Sequence, residues 1–124
     1  MPCHVKQTAA HFASIPAIKP GFAYQELLGN AEKEKQATFG IFSIEKSEPL
    51  TYKNVPFDGF AAILEGEANL EDLDKPGEPV LLKSGDIIHL VAGTSVTWST
   101  LSKCSGVFVL LKPFGDLSFA TAIH

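Results

Sequence analysis

The chain has 124 residues, enough for one domain with a single core and no stapling cross-links. Its formal charge is −4 and every basic residue is a lysine, so it offers neither the basic patch of a nucleic-acid binder nor the guanidinium fork of a phosphate clamp. No run of about 18 apolar residues is long enough for a membrane span, the first twenty residues lack a signal-peptide core, and Cys3 and Cys104 are too few for a disulfide framework; the cytoplasm is the expected compartment.

Residues 1–20 carry Pro2, Pro16 and Pro20 and read as an irregular arm, with room for a turn or two of helix between Gln7 and Ile15. The apolar stretch 21–29 follows, then a polar loop around Glu32, Lys33, Glu34 and Lys35. From Thr38 onward the chain reads as strands. Residues 38–46 are rich in β-branched and aromatic side chains, and 50–55 alternate up to a turn at Pro56, Phe57, Asp58 and Gly59. Residues 60–66 and 67–73 are predicted as two strands joined at Gly66, with the acidic run Glu65, Glu67, Glu71, Asp72 and Asp74 as a solvated hairpin face. After the turn at Asp74–Gly77 come 79–83, 87–93, 95–100 and 106–112, with Cys104 in a polar turn before the last. Short strands at intervals of about 8–12 residues, separated by turn residues, predict an all-β sandwich or barrel. The continuous apolar runs at 87–91 and 107–111 predict strands covered on both faces. One domain results: an arm (1–20), a barrel (21–112) and an apolar tail (113–124) suited to packing on the barrel or on a neighbouring subunit.

Two segments narrow this to a family. Residues 57–67, ending Ile63-Leu64-Glu65-Gly66-Glu67, and residues 83–94, containing Gly85-Asp86, resemble the paired motifs of cupins. Trp98 stands five residues after Gly93, as in small single-domain cupins of the ethanolamine-utilisation Q and ureidoglycine aminohydrolase type. The resemblance covers roughly residues 38–112 and implies a double-stranded β-helix, or jelly-roll. A standard cupin takes a metal through two histidines spaced H-x-H, a glutamate and a third histidine. The matching positions here hold Tyr52, Asn54, Gly59 and Val96. Gly59 and Val96 have no side-chain donor, so the resemblance implies no bound metal and no other cofactor.

The candidate site follows from parity and from that resemblance. Tyr52 and Asn54 share a strand face that the resemblance turns into the barrel, where a phenol and an amide suit a carbonyl or enol oxygen, or else form a satisfied polar pair. His89 interrupts an apolar strand on the face of Ile87 and Val91. Facing inward it is a general acid or base in a dry cavity; facing outward it is a surface or interface histidine. Asp58 is a turn former first and a catalytic acid second. Trp98, Phe42, Phe60 and Tyr24 are candidate pocket walls or plain core, and Glu26 shares the parity of Tyr24. His4, His11 and His124 match no zinc spacing, and read as surface imidazoles or, at most, as partners of His89 in a non-standard metal site.

The expected function is metal-independent proton transfer, of dehydratase, isomerase or cyclase type, on a small apolar carbonyl or polyketide-like molecule. The alternative is a non-catalytic small-molecule-binding or structural cupin. A homodimer is expected, held by the arm and by the tail residues Phe114, Leu117, Phe119 and Ile123. What separates the two functions is whether a cavity exists with Tyr52, Asn54 and His89 pointing into it.

Overall fold

The computed structural model describes residues 3–46, 48–116 and 123. The arm contributes one short helix, α1 (Thr8–Phe12), with no buried residue, and a three-residue strand, β1 (Ala17–Lys19). The apolar stretch becomes β2 (Phe22–Asn30), and the chain continues through β3 (Ala37–Glu45), β4 (Leu50–Tyr52), β5 (Gly59–Asp72), β6 (Val80–Lys83), β7 (Ile87–Leu90), β8 (Val96–Ser99) and β9 (Lys103–Leu110). Among the described residues these make one antiparallel, curled sheet in the order β1-β2-β3-β9-β5-β8-β4, with β6 and β7 also paired to β5.

The centre of the architecture is β5, and here the expected hairpin at Gly66 is corrected. Residues 59–72 form one fourteen-residue strand. Its first half pairs with β9 and β7; its second half pairs with β6 and β8. The strand serves both layers by bending between them. A register shift falls between Ile63 and Glu65 against β9, and Gly66 follows with φ +79°. A Cβ at Gly66 would lie 2.0 Å from the Lys103 carbonyl oxygen, so glycine is required here on conformation and on space.

The alternation of the strands then fills the interior. Phe22 and Tyr24 of β2, Phe42 and Ile44 of β3, Leu50 of β4, Ile63 of β5, and Phe108 and Leu110 of β9 form the main buried cluster. Tyr52, Val55 and Val96 form a smaller one that shares Leu70, Trp98 and Ile123 with it and adds Leu90.

Three further expectations change. The run at 87–91 is not covered on both faces: among the described residues β7 pairs only with β5, and Ile87 is 82% exposed. The alternating strand at 50–55 stops at Tyr52, because Asn54 takes a left-handed φ of 51°. The last strand starts at Lys103 rather than at 106, which puts Cys104 inside a strand and fully buried. Cys3 and Cys104 are both free. Leu117 and Phe119 lie outside the described residues, whereas Phe114 is partly exposed and Ile123 packs against both clusters. No helix among the described residues is long and apolar enough to cross a membrane.

Candidate ligand cavity

Between the two layers the side chains leave a cavity of about 100 Å³. Phe22, Tyr24, Phe42, Tyr52, Trp98 and Phe108 provide its aromatic walls, and Leu50, Leu90, Leu110 and Ile123 complete an almost wholly apolar lining. The Tyr24 and Phe108 rings stack at 5.0 Å, and Phe42 leans on Trp98 at 6.5 Å. Such pairs hold their rings in place, so the space they leave has a defined shape. Tyr52 is buried, and that burial pushes its phenol up to about 12.

Tyr24 links the cavity to a buried charge pair. Its hydroxyl donates to Glu26 Oε2, and Lys112 Nζ lies 2.6 Å from the same oxygen. The Glu26 and Lys112 side chains are 5% and 2% exposed. Gly115 N–H donates to Glu26 Oε1 at 3.1 Å, while Lys112 also donates to the carbonyl oxygens of Pro113 (3.3 Å) and Asp116. Every proton of the ammonium is thus used, and the carboxylate accepts from three donors, as a buried pair requires. Burial raises the Tyr24 phenol well above its ordinary value, and the hydrogen bond and charge of Glu26 raise it further.

The structure separates the residues that parity brought together. Tyr52, Tyr24, Phe42 and Trp98 line the cavity. Asn54 does not: past the end of β4 its backbone N–H bonds Ser95 Oγ at 2.9 Å, and the residue is exposed. His89 points outward with its ring stacked on Phe60 at 4.4 Å, and its side chain is 46% exposed. Leu90, one residue on, takes the inward position. Phe60 borders the cavity at its rim but is itself 43% exposed. Asp58 acts at the turn, accepting the Ala92 N–H at 2.8 Å, with His89 Nε2 at 3.4 Å; the backbone bond first and the histidine second hold its carboxyl below the ordinary range. A cavity therefore exists, but of the three residues expected to point into it only Tyr52 does.

Sequence reasoning missed Lys112, Leu90, Phe108 and Leu110. For the last two and Lys112 a signal existed, since 108, 110 and 112 share one strand parity. A lysine ending an apolar run reads as a solvated cap, so its burial was not anticipated. The four cupin ligand positions supply no donor set for a divalent cation: Tyr52 is inside, Asn54 outside, and Gly59 and Val96 carry no donor atom. No group of three histidine, cysteine, aspartate or glutamate side chains able to hold a metal ion occurs among the described residues.

The comparisons agree with this architecture. A family model described as the EutQ-like cupin domain matches residues 31–105. No curated protein matches the chain. Among solved structures, a protein identified as ethanolamine utilization protein Q of Salmonella typhimurium LT2 is similar at TM-score 0.64 and 17% identity, over 78% of this chain and 77% of that one. The EutQ protein of Clostridium difficile is similar at TM-score 0.64 and 14% identity, over 81% and 66%. Ectoine synthase from P. lautus is similar at TM-score 0.77 and 14% identity, over 98% and 88%. At these identities the likeness is one of fold.

Proposed function

The chain belongs to the EutQ-like cupin family, and from that premise we propose that its barrel is a receptor for one small, largely apolar molecule about the size of a single ring. The observation that carries this reading is the cavity itself, about 100 Å³ lined by aromatic and aliphatic side chains. Apolar cavities of this order stay dry and take up apolar guests such as benzene. Trp98, the chain's only tryptophan, lines it and reports on its contents. Titration with toluene, indole and acetophenone, followed by Trp98 fluorescence and thermal shift, tests the reading. Saturable quenching that Phe108→Trp, which fills the space, abolishes is the expected result. Absence of any saturable response in the wild type overturns it.

A second reading, proton transfer on a bound carbonyl compound without a metal, is supported by the Tyr24–Glu26–Lys112 chain beside Tyr52. In that reading Tyr52 hydrogen-bonds the carbonyl oxygen while Tyr24 takes the α-proton and passes its own to the Glu26 carboxylate. That ectoine synthase is built on a similar fold supports an enzymatic barrel in general terms, since one fold hosts many chemistries. Exchange of the acetophenone methyl protons in D₂O, followed by NMR, tests it: acceleration over buffer that both Tyr52→Phe and Glu26→Gln abolish is expected, and buffer-level exchange by the wild type rejects it. A homodimer in the cytoplasm remains part of the proposal; sedimentation at 13.3 kDa would reject the dimer.

A further inference from the structure

A second and larger cavity, about 480 Å³, lies on the opposite side of the sheet, between the arm and the outer faces of β3, β9 and β5. Its volume falls within the roughly 300–1,000 Å³ usual for small-molecule sites. The floor is built by register. Ser43 of β3 stands directly opposite Ser105 of β9, and Ser105 stands opposite Glu65 of β5. Two pairs further along, on the same face, Glu45 stands opposite Lys103. Phe12 and Ile15 of the arm and Leu64 of β5 supply the apolar part of the lining.

The two serines are the informative groups. Ser43 and Ser105 are 8% and 7% exposed, and both line the cleft. Neither hydroxyl has a hydrogen-bond partner among the described residues, and both oxygens open onto the cleft rather than being sealed from solvent, so a guest can reach them. Glu45, Glu65 and Lys103 likewise form no ion pair among the described residues. The cleft therefore presents two uncommitted hydroxyls, two carboxylates, one ammonium and an apolar wall.

We infer that this cleft is a binding site for a zwitterionic small molecule with an apolar substituent, an amino acid being the simplest member of the class. The ligand's ammonium faces Glu45 and Glu65, its carboxylate faces Lys103, and Ser43 with Ser105 complete the hydrogen bonding. Its apolar substituent lies against Phe12, Ile15 and Leu64. A simple anion fits less well, because carboxylates outnumber the ammonium; an uncharged apolar molecule leaves all five polar groups unused. The arm can adjust to such a guest, since α1 buries none of its residues.

The test uses the full ¹⁵N-labelled chain with L-leucine as probe. Saturable amide shifts at Ser43, Glu45, Glu65, Lys103 and Ser105, with a Kd below about 1 mM and no movement of the Trp98 indole signal, are expected. L-leucine methyl ester and N-acetyl-L-leucine, each lacking one charge, should bind at least about tenfold more weakly, as should leucine to the Ser43→Val/Ser105→Val variant once circular dichroism shows it folded. Three results overturn the inference: no saturable shift up to about 10 mM leucine, full affinity in the folded double variant, or shifts confined to Trp98 and its neighbours. If the same shifts appear on concentrating the protein without leucine, the cleft is an interface between copies and the ligand site is rejected.

Discussion

Replacing Lys112 with methionine removes the cation of the buried pair while keeping most of its bulk. The ammonium donates to Glu26, to Pro113 and to Asp116, and all of these bonds are lost together. Glu26 keeps Tyr24 and Gly115 as donors but becomes a carboxylate, 5% exposed, with no opposing charge. Breaking one side of such a pair costs about 3–5 kcal/mol, because a lone charge stays buried. Against a total stability of roughly 5–15 kcal/mol this is a large share, and Tm should fall by roughly 10–20 °C. The companion Glu26→Gln/Lys112→Met removes both charges, and it should recover at least about 1.5 kcal/mol relative to the sum of the two single losses. Urea unfolding followed by Trp98 fluorescence measures all four proteins with one intrinsic probe. If Lys112→Met costs less than about 1 kcal/mol, or the single losses simply add, the pair is not the closed network described above.

Both of the chain's tyrosines line the cavity, and the fold favours their neutral forms. The stability this supplies is fully present below the unfolded value of about 10 and is lost as pH rises through the folded value of Tyr52, about 12; phenolate absorbance at half its final value near pH 10, with native circular dichroism intact, would refute it. Gly66→Ala should cost more than about 2 kcal/mol, because a positive φ is combined with a Cβ 2.0 Å from a carbonyl oxygen, whereas Gly77→Ala, at φ +82° with nothing within 4 Å, should cost only the roughly 1 kcal/mol of backbone strain. Equal losses by chemical denaturation would show that the close approach does not matter. His89→Phe should leave acetophenone binding, read by Trp98 fluorescence, within about twofold of wild type, since the imidazole lies outside the cavity; a loss of about tenfold or more would put His89 back among the residues that govern the site.

Strand spacing, turn glycines and the paired motifs around Gly66 and Gly85 were enough to read an all-β cupin from the residues, because a period of two and the demand for positive φ are local properties of a chain. The aromatic share announced a core, and Phe42 and Tyr24, read as pocket wall or core, both line the cavity. Parity could not say which face of β7 is the inner one: 87–91 is apolar at nearly every position, and only the pairing with β5 turns Leu90 in and His89 out. Nor could alternation detect its own failure at Asn54, where a single left-handed residue takes the amide out of the face it shares with Tyr52 in an ideal strand. The Glu26–Lys112 pair spans 86 positions and the Ser43–Ser105 floor joins two strands far apart in sequence. Which distant side chains meet, and whether a charge is buried or solvated, depends on how the strands are ordered across the sheet. Local sequence determines the strands and their faces; only the curled sheet decides what those faces line.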